Sequence, residues 1–362
     1  VLELGSWPAP FGIVFVIDSF AALLLWVVSL VYFSTAIYAR PFLKSQDYKR
    51  GFNFLVHVLV LGVSASFMTG DIFNLYVCFE LLLISSFILL SLGTKKSQLK
   101  AALKYVTLNI LASICFLIGV GILYGSVGSL NMAHLGDALR EMPQWGTGVK
   151  ASAILIFFAF ASKAGMFPLF FWLPSSYHVP RSPISALFAA LLTKVGAYAL
   201  IRVFTIVFPL NHFEELQQSL YVMAVLTMVV GVIGAVAQSS IKKILSVHII
   251  SQIGYVLLGL AIYTPAAIGA AIFYLFHNML AKTNLFFIAG VVSEYCGGDE
   301  LSKTGSLAKT KRMLTLSFLV SSLALAGIPP LSGFFAKLFL LRSSINAGDR
   351  IALLFILGVS VF

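Results

Sequence analysis

The chain has 362 residues, of which 60% are apolar and only 10% are charged, and its formal net charge is +11. Soluble domains carry about 25% charged residues, so this composition excludes an ordinary soluble protein and indicates a helical membrane protein. The basic residues are scattered in short segments between apolar runs, which does not favour nucleic-acid binding. A β-barrel is excluded because the apolar runs are continuous rather than alternating.

Ten apolar runs are long enough to cross a hydrocarbon core of about 30 Å, which needs about 20 helical residues. Their approximate bounds are 11–38, 51–69, 72–92, 103–125, 151–173, 184–207, 218–238, 244–263, 266–292 and 313–344. An eleventh run begins near Ile351. The predicted fold is all-α and polytopic, with about ten to eleven transmembrane helices. Because the chain begins at Val1 and ends within an apolar run, we expect it to be a fragment of a longer protein.

Positive charge alternates between the loops that connect these runs. The odd-numbered loops carry Lys44, Lys49, Arg50, Lys95, Lys96, Lys100, Arg181, Lys242, Lys243, Lys303, Lys309, Lys311 and Arg312. The even-numbered loops carry far fewer basic residues. By the positive-inside rule, the odd loops face the cytoplasm and Val1 lies on the outer side of a bacterial cell membrane.

Helix-breaking residues interrupt the fifth and the tenth runs near their middles. The breakers are Gly165 and Pro168 in the fifth run, and Gly327, Pro329, Pro330 and Gly333 in the tenth. Since the two runs are five apart, they cross the membrane in opposite directions, as expected of inverted repeats with discontinuous helices. The predicted domains are residues 1–50, a first five-helix repeat over 51–207, and a second, incomplete repeat over 218–362.

Several ionisable side chains fall inside the apolar runs. They are Glu80, Lys163, Lys194, His277, Lys282 and Lys337, with His248 near the start of the eighth run. A charge at the bilayer centre costs about 3 kcal/mol, so these groups are expected to face one another, opened backbone or water. The alternative for the lysines is snorkelling to a membrane face, and the histidines could be satisfied core residues. Asp18 is better explained as a helix cap.

Proton movement is the chemistry that these residue types allow. Burial disfavours the charged form of a lysine or a carboxylate, whereas pairing favours it, so a Glu–Lys pair that forms and breaks is a switchable proton site. Glu80 is the predicted partner of Lys163, with Lys194 next along the row. Neither cofactor nor metal is predicted, because no haem, iron–sulfur or phosphate-binding spacing occurs. Three isolated cysteines, Cys78, Cys115 and Cys296, form no ligand cluster.

Five segments together resemble a known family, the proton-pumping antiporter module. They are TGDIFNLYVCFELLLISS, SKAGMFPLFFWLP, IKKILSVHIISQIGYVLLGL, FYLFHNMLAKTNLFFIAG and AGIPPLSGFFAKLFLL. Mrp-type cation/proton antiporters, NADH–quinone oxidoreductases and membrane-bound hydrogenases share this module. Within the family, three segments look most like the D subunits of Mrp-type Na+/H+ antiporters: SWPAPFGIVFVIDSFAALL, TGDIFNLYVCFELLLISS and SPISALFAALLTKVGAYALIRVF.

The resemblance implies a proton pathway through Glu80, Lys163, Lys194, His277 and Lys337, with His248 and Lys282 as possible additional members. It also implies other membrane subunits as partners, with protons and Na+ as the transported ions. Many relatives carry an acid after the Leu-Pro of the broken helix, where Ser175 and Ser176 stand in this chain.

The leading interpretation is that the chain is a non-enzymatic subunit of a cation/proton antiporter and that this subunit carries the proton path. Because Glu80 is alone among the mid-span acids, the cation path is expected at least partly in other subunits. The alternative is a proton-pumping subunit of a respiratory oxidoreductase or a membrane-bound hydrogenase.

Overall fold

The structure is a computed structural model that describes residues 1–305 and 307–360. The chain up to residue 206 forms α1 (Ser19–Phe42), α2 (Ser45–Lys49), α3 (Phe52–Met68), α4 (Ile72–Ser91), α5 (Lys96–Val127), α6 (Met132–Glu141), α7 (Thr147–Ala164), α8 (Trp172–Tyr177) and α9 (Ser182–Ile206). The rest forms α10 (Glu214–Val236), α11 (Ile241–Ile262), α12 (Pro265–Tyr295), α13 (Leu307–Thr310), α14 (Arg312–Ala326), α15 (Ser332–Asn346) and α16 (Arg350–Ser360).

Every predicted apolar run contains at least one of these helices, and the all-α prediction is confirmed. Among the described residues, eight helices are long and apolar enough to cross a membrane. They are α1, α4, α5, α7, α9, α10, α11 and α12. Helices α3, α14 and α16 are apolar but shorter.

The first apolar run is predicted to be helical from residue 11, and this boundary is wrong. Residues Val14–Phe15 form a short strand, β2, which pairs antiparallel with β1, Leu2–Glu3. The helix begins only after Asp18, whose side chain accepts a hydrogen bond from the Ala21 amide at 2.8 Å. An N-cap aspartate satisfies an amide that the first turn leaves free, so the prediction that Asp18 is a cap is confirmed.

Helix α9 lies at the centre of the molecule and is enclosed along nearly its whole length. It packs against α1, α3, α7 and α12. A helix that is apolar on all sides is stable only where it is surrounded by other helices. Its position explains why α9 can carry a lysine, Lys194, that has no access to solvent.

Two isolated β-bridges relate the two parts of the chain. Asp71 before α4 pairs with Asn131 after α5, and Ser240 before α11 pairs with Glu300 after α12. In each case the bridge ties the start of the second helix of the predicted repeat to the end of the third. The same local device therefore recurs at corresponding places of the two predicted repeats.

The start of α1 is fastened to α9 by an ion pair. Arg202 donates from both terminal nitrogens to the Asp18 carboxylate, at 2.5 and 2.8 Å. The Arg202 Nε donates to the Tyr198 hydroxyl at 2.9 Å, and that hydroxyl donates to the Phe67 carbonyl at the end of α3. Three helices thus meet at one guanidinium group.

Replacing Asp18 tests this junction. Asp18→Ala removes the cap and the ion pair, whereas Asp18→Asn keeps a capping oxygen and removes only the charge. Both variants should lower the thermal unfolding midpoint, and alanine should cost about 1 kcal/mol more, which is the usual value of an N-cap. An unchanged midpoint for Asp18→Ala would contradict the assignment. Asp137→Ala, which breaks an exposed pair with Arg140, serves as the control and should have little effect.

The hydrogen bond from Arg202 holds the pKa of Asp18 below its ordinary value of 3.8, although partial burial opposes this. A carboxyl group with a lowered pKa stabilises the fold fully above its unfolded-state value. The stabilisation is lost only as pH falls through the lower folded-state pKa. The difference in stability between wild type and Asp18→Asn should therefore be constant around neutral pH and shrink only in strong acid.

Candidate site in the membrane interior

The ionisable residues predicted from the sequence lie in the interior of the helical bundle. Lys194 and Lys282 have no exposed surface, and Lys163, His277 and Lys337 are between 3% and 7% exposed. Glu80 and His248 are half-buried. Snorkelling lysines would be exposed at one end, so this alternative does not fit the four buried lysines.

The fifth run breaks where α7 ends. Gly165 has a φ of 76°, in the left-handed region that glycine adopts without strain. The Met166 amide donates back to the Ala161 carbonyl at 3.0 Å, closing the helix with a Schellman motif. The Gly165 amide donates to the Ser162 carbonyl at 3.1 Å, and the Trp172 indole donates to the same oxygen at 2.9 Å. The predicted break is confirmed.

The tenth run breaks in the same way between α14 and α15. Gly327 has a φ of 85°, and the Ile328 amide donates to the Leu323 carbonyl at 3.1 Å. In this break a lysine satisfies the free carbonyl, because Lys337 Nζ donates to the Ala326 oxygen at 3.0 Å. Lys337 follows the break in sequence, but its ammonium group returns to the carbonyl end of α14. A cation at that end is favoured by the helix dipole.

Lys163 does not form an ion pair with Glu80 in this structure. Lys163 Nζ donates to the Ser113 hydroxyl of α5 at 3.2 Å and lies 5.2 Å from the centre of the Phe79 ring. Within the described residues, no Glu80 oxygen lies within 4.0 Å of a basic group, and the buried Glu80 Oε1 has no hydrogen-bond partner. The two groups are therefore not in direct contact in this structure, although the Glu80 charge still acts on Lys163, and Glu80 as the partner of Lys163 stays a prediction.

A small cavity of about 10 Å³ lies beside Lys163, which is close to the least volume that holds one water. Tyr105 and Asn109 of α5 line it together with Trp172. One water there could hydrogen-bond to the lysine and to a polar neighbour. The opening next to the broken helix is therefore small, and it is located at the predicted lysine.

Lys194 has one hydrogen-bond partner in the described part of the chain, the Ala189 carbonyl on its own helix, at 2.5 Å from Nζ. An ammonium group without solvent normally needs several partners. Lys194 is two residues from Gly196, whose backbone packs directly against Lys163 and Ala164. The two lysines thus occupy facing stretches of α9 and α7.

A continuous polar network connects α11 and α12. Lys282 Nζ lies 3.0 Å from His248 Nδ1, and His248 Nε2 lies 3.0 Å from Gln252 Nε2. Gln252 Oε1 accepts hydrogen bonds from Asn278 and from the Tyr274 hydroxyl. Below, the term α11–α12 network refers to these five residues.

The orientation of the Gln252 amide in the α11–α12 network favours one protonation state. Because two donors occupy Gln252 Oε1, its NH₂ group faces His248, and His248 Nε2 must accept. A neutral imidazole then carries its proton on Nδ1 and donates to Lys282 Nζ. That requires Lys282 to be a neutral amine, since an ammonium group accepts no hydrogen bond. Rotation of the Gln252 amide would reverse this preference.

His277 and Lys337 extend the set towards the second break. His277 Nδ1 lies 2.8 Å from the Ser332 hydroxyl at the first position of α15. Lys337 Nζ lies 5.2 Å from the centre of the Tyr255 ring, and Tyr255 stacks on Tyr274 with 5.1 Å between ring centres. The α11–α12 network therefore reaches the broken helix through two aromatic rings.

Comparison with known proteins agrees with this architecture. The model of the NADH:quinone oxidoreductase/Mrp antiporter transmembrane family matches residues 69–362. The chain is 47% identical to the D-type subunit of the Na(+)/H(+) antiporter of Alkalihalophilus pseudofirmus over 345 residues, which are 95% of this chain and 69% of that protein. The chain belongs to this family.

Two solved structures are similar to this member of the family. A chain of the Mrp complex from Dietzia sp. is 34% identical, with a TM-score of 0.91 over 100% of this chain and 67% of the other. A chain of the membrane-bound sulfane sulfur reductase, an archaeal respiratory membrane complex, is 31% identical, with a TM-score of 0.94 over 99% and 73%. The expected resemblance is confirmed.

The structure brings the predicted site residues of this family member together only in part. His248 and Lys282 are within hydrogen-bond distance of each other. The other site residues lie on adjacent helices and make no hydrogen bonds to one another among the described residues. Sequence reasoning missed the neutral partners, which are Ser113, Gln252, Tyr255, Tyr274, Asn278 and Ser332. The available signal was the presence of Gln252 and Asn278, two amides, inside apolar runs.

Ser175 and Ser176 stand where many family members have an acid, and both bond within α8. Each hydroxyl donates to the Trp172 carbonyl, at 3.1 and 2.5 Å. At this point the two hydroxyl groups are therefore used within α8. An acid at either position would place a carboxylate there instead.

Gly196 provides a test of the contact between α7 and α9. A Cβ atom at this position would lie 2.5 Å from the Ala164 nitrogen and 2.8 Å from the Lys163 carbonyl carbon. Gly196→Ala should therefore separate the helices at Lys163 and cost about 1–3 kcal/mol, as overpacking usually does. Thermal unfolding and ion exchange in vesicles would both register the change.

Gly121 is the matched control, because a Cβ atom at this position in α5 meets nothing within 4 Å in the part of the chain that the structure describes. Gly121→Ala should be neutral or stabilising by up to about 1 kcal/mol through helix propensity. Equal stability and activity of the two alanine variants would contradict the close packing at Lys163.

Proposed function

We propose that this chain is the proton-translocating subunit of a multisubunit Na+/H+ antiporter in a bacterial cell membrane. Its partners are other membrane subunits, and it acts as a secondary transporter rather than as an enzyme. The observation that carries the proposal is the set of desolvated lysines and histidines on adjacent helices. The likeness to the D-type subunit of an antiporter and to a chain of an Mrp complex supports it.

The proposed proton path runs through Glu80, Lys163, Lys194, His277 and Lys337, with Lys282 and His248 as further members. The two broken helices lie at Lys163 and at Lys337, and a small cavity beside Lys163 has about the volume of one water. Between them, the α11–α12 network offers direct transfer, since Lys282 and His248 are within hydrogen-bond distance. Transfer from Lys282 to His248 needs Lys282 as an ammonium group and His248 Nδ1 as the acceptor, a state that rotation of the Gln252 amide allows.

The predicted domain division is retained as part of this proposal. Residues 51–207 and 218–362 form two repeats of opposite direction, and residues 1–50 precede them. The recurring Schellman closures and β-bridges support the division. The outer location of Val1 rests on the charges of the loops. Cysteines introduced at Lys49 and at Glu214 should be labelled only from opposite sides of the membrane.

We assign the cation path at least partly to neighbouring subunits. Within the described residues, no group of three or more His, Cys, Asp or Glu side chains could hold a metal ion. A bound Na+ ion coordinated in the interior of this subunit would contradict the assignment.

Exchange by the whole complex tests the roles of Glu80 and Lys163. In inverted membrane vesicles, Glu80→Ala and Lys163→Ala should each reduce Na+-driven proton exchange by more than about tenfold, because the loss of one interior proton site raises the transfer barrier by at least about 1.4 kcal/mol. Lys49→Ala, which changes an exposed loop lysine, is the control and should retain exchange. Unimpaired exchange in either interior variant would remove the proposed role of that residue.

Gln252 offers a finer test, because its amide sets the tautomer of His248. Gln252→Leu should slow exchange about tenfold, corresponding to about 1.4 kcal/mol for a buried hydrogen bond. Ser251→Ala, at the neighbouring position of α11, removes a buried hydroxyl that has no partner among the described residues, and it should have little effect. Similar exchange rates in both variants would show that the Gln252 orientation is irrelevant to transport.

A second candidate is a proton-pumping subunit of a respiratory complex. It is favoured by the likeness to a chain of the sulfane sulfur reductase, which is as close in structure as the antiporter chain. Purification of the intact complex separates the candidates. Soluble partner subunits with flavin or iron–sulfur clusters would indicate the respiratory complex, whereas membrane subunits alone would indicate the antiporter.

A further inference from the structure

Basic residues from three separate loops converge on one cavity of about 230 Å³. The cavity lies where α5, α9 and α11 begin and where α12 ends. Its polar lining includes Lys95, Gln98, His178, Arg181, Lys242 and Glu294. Since a water molecule occupies about 30 Å³ in the liquid, this cavity accommodates a small polar group together with several waters. It is called the basic cavity below.

Each of the lysines and the arginine of the basic cavity stands at the start of a helix. Lys95 directly precedes α5, Arg181 directly precedes α9, and Lys242 is the second residue of α11. The amino end of a helix carries partial positive charge, which disfavours cations and favours anions. Three cations at three amino ends around one cavity are unfavourable unless an anion lies between them.

Gln98 gives independent evidence that the basic cavity binds a ligand. It is only 4% exposed, and its Oε1 accepts a hydrogen bond from the Lys95 amide at 3.2 Å. This bond caps α5 and leaves the Gln98 NH₂ group to the cavity. Within the described residues, that group has no hydrogen-bond partner, and Arg181 Nε is likewise buried without one. Buried donors of this kind normally bind a water or a ligand.

Acidic groups near the cavity act on this positive charge, and those of Asp299 and Glu294 act on Lys242. Asp47 lies 3.1 Å from the Arg181 guanidinium, and Glu294 lines the cavity. Lys242 Nζ donates to the neutral Ser182 hydroxyl at 3.1 Å. The cavity thus keeps Lys95 and Lys242 without a carboxylate within 4.0 Å among the described residues.

The lysine charges also act on His178. Burial lowers the pKa of this histidine, and the charges of Lys243 and Lys242 lower it further, although the Pro174 carbonyl and Asp299 act in the opposite direction. His178 Nδ1 is occupied by the Pro174 carbonyl at 2.5 Å. A neutral His178 therefore adds no positive charge to the cavity.

We propose that the basic cavity binds a phosphate group, carried either by an anionic lipid headgroup or by a soluble phosphate. Lysine ammonium groups, an arginine and an amide NH₂ are the donors that phosphate oxygens accept. The cavity lies at the ends of membrane helices, which is the depth of lipid headgroups, and basic pockets between such helices bind anionic lipids. The proposal is independent of the proton pathway.

The test uses the purified complex that contains the full-length subunit. Native mass spectrometry would measure binding of phosphatidylglycerol and phosphatidylcholine, and radiolabelled inorganic phosphate would be measured by equilibrium dialysis. We expect phosphatidylglycerol or inorganic phosphate to bind, and phosphatidylcholine to bind at least about tenfold more weakly. Retention of phosphatidylglycerol alone identifies a lipid site, and binding of inorganic phosphate identifies a site for soluble phosphate.

Gln98→Glu is the decisive variant, because glutamate keeps the capping bond of α5 while it places negative charge in the cavity. It should weaken binding at least about tenfold without lowering the unfolding midpoint. Gln46→Glu, the same change at an exposed position outside the cavity, should leave binding unchanged. The double variant Lys95→Gln/Lys242→Gln should weaken binding as well. Unchanged binding in Gln98→Glu, or no preference over phosphatidylcholine, would overturn the proposal.

Discussion

The interior lysines depend on neutral acceptors rather than on carboxylates. Lys194 donates to the Ala189 carbonyl, Lys337 to the Ala326 carbonyl and Lys163 to the Ser113 hydroxyl. A buried ion pair stabilises the charged form strongly and would hold each proton in place. A carbonyl or hydroxyl acceptor stabilises the ammonium group less, so the charged and neutral forms differ less in free energy. This balance suits a group that takes up and releases a proton.

The two broken helices have the same backbone geometry but different lysine contacts. Both breaks use a left-handed glycine and the same Schellman closure. In the first break the Trp172 indole donates to the Ser162 carbonyl, which also accepts the Gly165 amide, and Lys163 donates to Ser113 of α5. In the second break Lys337 donates to the Ala326 carbonyl at the end of α14. The two lysines are therefore equivalent in location but not in bonding, which their different order relative to the breaks already indicates.

The sequence predicts the helical fold, both breaks and the ionisable interior residues, because composition and glycine–proline spacing act locally. It misplaces the start of α1, where Asp18 is fixed by Arg202, a residue 184 positions away. It also misses α6, whose Asn131 cap and buried Met132, Leu135 and Leu139 fall in a predicted loop. The missing direct contact between Glu80 and Lys163 has a similar reason, since side-chain direction and the place of Phe79 depend on helix rotation. Such rotations are set by packing, which hydropathy does not encode.

The position of the basic cavity connects the surface charges to the interior. Lys242 lines the cavity, and Leu245, one turn further along α11, accepts a hydrogen bond from Lys282 at 3.2 Å. One helical turn rises about 5.4 Å, which is less than the screening length of about 8 Å at physiological ionic strength. Negative charge in the cavity would therefore favour the ammonium form of Lys282, which the Gln252 orientation disfavours. If an anion occupies the cavity, its charge and the Gln252 orientation would act on the Lys282 proton in opposite directions.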